Sequence, residues 1–131
     1  MSIIGLDHVA IATLDVEAAV AKYEAMFGAT AGEIVSVPDQ GVKSAVVTIG
    51  DSTIELMQPL DDFNAIRKYI DKNGEGLHHI ALKVDNLDAT EKELLEKGVR
   101  LIVGTANGNK SIFIHPKSTD GVLMELCAHN G

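Results

Sequence analysis

A period of two sorts residues 5–11 onto two faces, Leu6, His8 and Ala10 on one and Asp7, Val9 and Ile11 on the other, and the same run of apolar and polar positions returns 71 positions later. Gly5, Leu6, Asp7, His8, Val9, Ala10, Ile11 recurs as Gly76, Leu77, His78, His79, Ile80, Ala81, Leu82, and both segments read as strands. After each strand an acidic residue, Asp15 or Asp85, leads into a stretch of helical period. The pattern predicts a helix over 16–26 with Val20 and Tyr23 on its apolar face, and another over 87–97 with Leu94 and Leu95 there. Gly28 and Gly98 stop the two helices. Each is followed by three stretches of strand character, at 33–37, 42–49 and 53–58 in the first half and at 99–103, 111–114 and 122–127 in the second. The halves end alike, Ile54-Glu55-Leu56 against Met124-Glu125-Leu126. Between them Asp61 or Asp62 is expected to cap a short helix through Phe63, Ile66 and Ile70, ended by Asn73 and Gly74.

A strand, a helix and three strands, repeated once, predict an α+β fold of two tandem βαβββ modules. The expectation is a single domain over 1–131, with module 1 at about 1–60, a linker helix at about 61–74 and module 2 at about 75–131. The two modules are expected to form one cupped, partly closed mixed sheet around a metal site, with the helices outside.

The polar exceptions in these strands carry the chemistry. In the first strand Leu6, His8, Ala10 and Ala12 share a face, and in the later strands Glu55 and Glu125 stand between apolar neighbours, Ile54 with Leu56 and Met124 with Leu126. A carboxylate in such a setting is expensive to bury unless it is paired, protonated or bound to a cation. Two histidines and two glutamates at equivalent places, His8, Glu55, His79 and Glu125, make an N2O2 donor set suited to a divalent ion such as Zn, Co, Mn, Ni or Fe. The donors come from distant strands, unlike the short spacings of a structural zinc finger, which favours an open, catalytic site. His78 should face away from His79. Cys127 reads as a small buried hydrophobe, and His115 and His129 as loop residues.

Composition narrows the partners. With 19 acidic against 11 basic residues the net charge is −8, which repels a nucleic-acid backbone. An anionic small molecule is still compatible, because a few local lysines can dominate inside a cleft. The single cysteine excludes an intrachain disulfide and fits a reducing compartment. No basic leader with an apolar stretch opens the sequence, and no apolar run approaches the ~20 residues of a membrane span. A cytoplasmic protein without a membrane or nucleic-acid partner is expected, and the apolar surface of two small modules points to a homodimer.

The module order and the paired His and Glu positions resemble the vicinal oxygen chelate superfamily, which includes glyoxalase I, extradiol dioxygenases and fosfomycin-resistance enzymes. Within it the chain is most similar to the methylmalonyl-CoA epimerases, on Pro38-Asp39-Gln40-Gly41-Val42-Lys43, on 73–81 (NGEGLHHIA), and on His115-Pro116-Lys117-Ser118 through 121–126 (GVLMEL). The resemblance implies that His8, Glu55, His79 and Glu125 hold the metal, and that an acyl-CoA thioester is the substrate. Inversion requires two acid/base groups. Glu125 is expected to be one, and Glu55 the leading second, with water or a residue near Ser44 as the alternative. Some relatives carry Glu directly after the basic residue of the Gln-Gly-Val segment, where this chain has Ser44. The coenzyme A phosphates are expected at Lys117 and Ser118, with Lys110 and Lys43 as further candidates. Two other readings use the same scaffold: a glyoxalase I-type lyase or isomerase acting on a thiol hemithioacetal, and a metal-free small-molecule-binding member.

Overall fold

The computed structural model describes residues 3–106 and 108–128, so His129 lies outside the described residues. Along the chain come β1 (Ile3–Ala12), α1 (Val16–Phe27), β2 (Thr30–Ala31), β3 (Val35–Val37), β4 (Val42–Ile49), β5 (Ser52–Pro59), α2 (Ala65–Asn73), β6 (Gly76–Val84), α3 (Leu87–Glu96), β7 (Leu101–Ala106), β8 (Asn109–Ile114) and β9 (Met124–Ala128). The class is α+β, as expected. The chain packs as two compact units, one of His8–His78 and one of the residues up to Asp7 together with those from His79 onward. No helix among the described residues is long and apolar enough to cross a membrane.

In the unit His8–His78 the sheet runs β2-β4-β5-β1, with β3 also on β4. β1 and β5 are parallel and β4 and β5 antiparallel. Period-two alternation gives this sheet two apolar faces. Ile11, Ala45, Val47, Ile54 and Leu56 pack against Val16, Ala19, Val20 and Tyr23 of α1. Ala10, Ala12, Val42 and Met57 face the other way and meet Ile66 and Ile70 of α2. Leu56 and Val47 are fully buried, each contributing roughly 1.5–3 kcal/mol of transfer free energy. The caps are chemical. Asp15 accepts from the N–H of Ala18, and Gly28 takes the left-handed conformation (φ 64°) that ends α1.

In the other unit the order is β6-β9-β8-β7, with β6 and β9 parallel and the remaining pairs antiparallel. Val84, Leu101, Ile112, Ile114 and Leu126 cover Leu94 of α3, whose first turn is capped by Asn86 accepting from Ala89 N–H at 2.9 Å.

Several boundaries differ from the pattern-based expectation. The strand expected over 33–37 is shortened to β3, and a further short strand, β2, precedes it; the register on β4 shifts by one residue between Ala31↔Val47 and Val35↔Ser44. The extra residue lies in the Gly32–Ile34 stretch, a bulge that hydropathy does not reveal. Asn64, not Asp61 or Asp62, caps α2 by accepting from Arg67 N–H. Asp61 instead accepts from the N–H groups of Phe63 and Asn64, closing a turn ahead of the helix and leaving Phe63 83% exposed. Leu95, assigned to the apolar face of α3, is exposed beside the buried Leu94. The strand expected from Val99 starts at Leu101, because the Val99 N–H is taken by Leu94 O at the end of α3. β9 likewise starts at Met124 rather than Val122.

Candidate metal centre

Each unit presents one His and one Glu on the sheet face opposite its module helix. In the unit His8–His78, Ala10 stands opposite Glu55 in the parallel β1/β5 pair, and His8 lies two residues before Ala10 on the same face. In the other unit, Ala81 stands opposite Glu125 in the parallel β6/β9 pair, and His79 lies two residues before Ala81. The same register therefore holds in both. The parallel pairing arises because the first strand of each module is joined to its partner by the helix and the intervening strands, and the small alanine opposite each glutamate leaves room beside the carboxylate.

His79 is 6% exposed, and its ring meets Phe113 edge to face with centroids 5.2 Å apart. Its Nε2 lies 3.6 Å from Oε1 of Glu125, and the Cys127 thiol donates to that same oxygen at 3.6 Å. Nε2 of His8 and Nε2 of His79 are both buried. An imidazole nitrogen and a carboxylate oxygen at 3.6 Å are beyond hydrogen-bond range. They are close to the separation of two donors on one cation, roughly 3–3.5 Å when each bond is about 2.1 Å. His79 and Glu125 belong to a group of side chains spaced to hold one ion. Imidazole and carboxylate donors on a face lined by alanines fit a divalent metal.

The remaining sequence candidates divide by face. Lys43 and Lys110 stand on the helix-side faces and are held there: Lys43 pairs with Glu17 of α1 at 2.8 Å, and Lys110 with Asp88 and with Glu91 of α3, the latter at 2.6 Å. Neither shares the face of the glutamates. Ser44 does, since it pairs with Met57, next to the Val46↔Glu55 pair. His78 packs edge to face on Tyr69 at 4.8 Å, and the Tyr69 hydroxyl donates to Leu77 O. Cys127 is half-buried and donates to Glu125, a contact beyond the small-hydrophobe reading. Lys117 and Ser118 lie in the 3₁₀ turn Pro116–Ser118, where Lys117 N–H donates to His115 Nδ1 at 3.0 Å and the Ser118 hydroxyl accepts from Arg100 N–H at 2.9 Å. Burial, then the nearby charges of Arg100 and Lys117, push the His115 pKa down. In the second unit a cleft of about 550 Å³ opens beside Glu125, its lining including Ser111, Asn109, Ala106 and Cys127. Phe113 and Arg100 were absent from the sequence-based site; the alternation of β7 and β8, once registered against Glu125, is the signal that finds them.

The family model of the glyoxalase/bleomycin resistance protein/dioxygenase superfamily matches residues 7–115. Human mitochondrial methylmalonyl-CoA epimerase is 40% identical over 127 residues, which are 92% of this chain and 72% of that protein. The chain belongs to the methylmalonyl-CoA epimerase family of that superfamily. The ethylmalonyl-CoA/methylmalonyl-CoA epimerase of Cereibacter sphaeroides is 38% identical, with 92% of this chain and 95% of that one covered. Among solved structures, methylmalonyl-CoA epimerase from Mycobacterium tuberculosis superposes with a TM-score of 0.89 at 36% identity, covering 98% of this chain and 90% of that one. A Streptomyces coelicolor methylmalonyl-CoA epimerase variant in complex with 2-nitronate-propionyl-CoA superposes with a TM-score of 0.91 at 34% identity, covering 99% and 100%.

Proposed function

We propose that this chain interconverts the R and S forms of methylmalonyl-CoA, with His8, Glu55, His79 and Glu125 as the ligands of one divalent metal. The observation that carries the site is the repeated register, Ala10↔Glu55 and Ala81↔Glu125, each with a histidine two residues earlier on the same face. The family relationship, with relatives named for this reaction, supplies the substrate.

The carbon to be inverted lies between a thioester and a carboxylate, and its proton is acidic only if the charge left behind is stabilised. A bound divalent cation supplies that stabilisation as a Lewis acid. The protein residues move the proton. Glu125 is one base: its Oε1 faces His79 and Cys127, and its second oxygen is the one assigned to the substrate α-hydrogen. Glu55 is the second base. Of the strand residues sharing its face on β1, β4 and β5, none other is a carboxylate, and Ser44 is too weak a base at neutral pH without an activating partner. Phe113 packs edge to face on His79 and covers one side of the His79 and Glu125 pair. The exposed Ile3, Ile4 and Leu6 at the start of β1 suit an isologous contact in a homodimer.

Metal content of purified protein tests the ligand set. Stoichiometric Co, Mn, Ni, Zn or Fe in the wild type and its loss in His79→Ala are expected. Equal metal in both proteins would exclude the site.

A further inference from the structure

The repeat makes the two glutamates equivalent and one of their neighbours unequal. Ile54-Glu55-Leu56-Met57 in β5 matches Met124-Glu125-Leu126-Cys127 in β9. The residue two places after each glutamate, on the same strand face, is thus Met57 in one unit and Cys127 in the other. Met57 is 3% exposed and packs with Ala10, Ala12 and Val42, and a thioether has no proton to donate. Cys127 is half-buried and has one, and its Sγ donates to Glu125 Oε1 at 3.6 Å.

A bond at that place matters because packing leaves the Glu125 carboxylate room to turn. The terminal torsion of a glutamate has no sharp minimum, so its neighbours decide where the two oxygens point. Ala81, opposite Glu125 in β6, is too small to fence it. Phe113 covers it from β8. One row further along this face, the register brings Cys127, Ser111 and Gly104 side by side, all of them small. A cleft of about 550 Å³ opens there, with Glu125, Cys127 and Ser111 in its lining. On that open side the thiol is the group that reaches the carboxylate, and a bond to Oε1 also sets the direction of Oε2, the oxygen assigned to the α-hydrogen. Misdirecting a reacting group lowers the rate of its step.

We infer that Cys127 is a positioning residue for Glu125: its thiol fixes the rotation of that carboxylate for proton transfer on one face of the substrate, a hold that Met57 cannot give Glu55. This rests on the epimerase reading and makes the two proton transfers of one repeated site unequal.

The experiment compares wild type, Cys127→Ala and Cys127→Ser by deuterium incorporation into separate R and S thioesters, with metal content measured in each protein. Cys127→Ala is expected to slow exchange of one epimer, the one Glu125 serves, by roughly fivefold or more, with the other epimer within about twofold of wild type. KM and metal content should not move. Cys127→Ser keeps a donor and should bring the slowed epimer back to within about twofold of wild type. Equal slowing of both epimers, no slowing, or no rescue by serine would overturn the inference. The chain has a single cysteine, so its S–H stretching band in the infrared reads the same contact without turnover. That band should move to higher wavenumber in Glu125→Ala. If wild type exchanges neither epimer, the epimerase reading fails on its own and the band decides: a shift in Glu125→Ala supports the hold on the carboxylate, and an unmoved band overturns it.

Discussion

Nε2 of His79 and Oε1 of Glu125 face each other at 3.6 Å across neighbouring parallel strands. They lie too far apart to bond each other and close to the spacing of two donors on one ion. Glu125 Oε1 also accepts from the thiol of Cys127, which orients that oxygen. On the proposed reading that carboxylate has two duties, ligand and base, and shares the stereochemistry with Glu55.

Two bases on opposite faces of the reacting carbon leave a stereochemical signature. Glu125→Gln and Glu55→Gln should each lower epimerisation by roughly 10²–10⁴-fold. With metal present, each variant should still exchange the α-hydrogen of the one epimer that its surviving glutamate serves, and the two variants should retain opposite epimers. Deuterium incorporation into separate R and S thioesters, followed by NMR, checks this. Retention of the same epimer in both variants would refute the pairing of bases.

Lys43 and Lys110 are predicted to be dispensable for turnover. Both stand on helix-side faces, paired with acidic residues of α1 and α3. Lys43→Met and Lys110→Met should keep kcat and KM within twofold of wild type. Exposed ion pairs of this kind contribute about 0–1 kcal/mol, so the unfolding midpoint should also move little. A large rise in KM would place these lysines at the substrate.

The fold was legible wherever hydrophobic period and duplication agreed. The sequence repeat around His8 and His79 and the matching ends at Glu55 and Glu125 located the strands that carry them, and the structure adds that the register is the same in both units. Legibility failed where hydrogen bonds rather than hydropathy decide the backbone. Asp61 closes a turn in competition with capping, so Asn64 starts α2, and the bulge after Ala31 shortens one expected strand at its start. For the site, residue type alone cannot tell a lysine that reaches α1 from one that reaches the substrate. Only the register places Lys43 on one face and Ser44 on the other.

Gly41 should resist substitution. It follows the 3₁₀ turn Pro38–Gln40 in the left-handed conformation (φ 67°), and an added Cβ would meet Asn64 Nδ2 at 2.9 Å. That amide donates to Gly41 O while capping α2. Gly41→Ala is expected to destabilise by roughly 1–2 kcal/mol or more from backbone strain alone. Chemical denaturation measures it, and an unchanged midpoint would show that the turn relaxes freely.

Glu75 ties the segment before β6 to the corner after β1, its carboxylate accepting from Leu14 N–H at 2.8 Å and from the Thr13 hydroxyl at 3.0 Å. The Leu14 N–H, then the Thr13 hydroxyl, hold its pKa below the ordinary 4.5. A carboxyl whose folded pKa is lowered contributes stability that is present above the unfolded value and lost as pH falls through the folded one. The urea midpoint of wild type should therefore fall below about pH 4.5 more steeply than that of Glu75→Gln, which has no charge to lose. Parallel acid limbs in the two proteins would contradict the assignment.

In the proposed mechanism a divalent ion on His8, Glu55, His79 and Glu125 makes the α-proton of methylmalonyl-CoA exchangeable. Its most direct test is the rate of α-hydrogen exchange with deuterated solvent, followed by NMR on enzyme as purified, after chelation, and after Co, Mn, Ni, Zn or Fe is restored. Exchange should be lost on chelation, return with metal, and not return in His79→Ala. Full exchange by protein shown to be free of metal would contradict it.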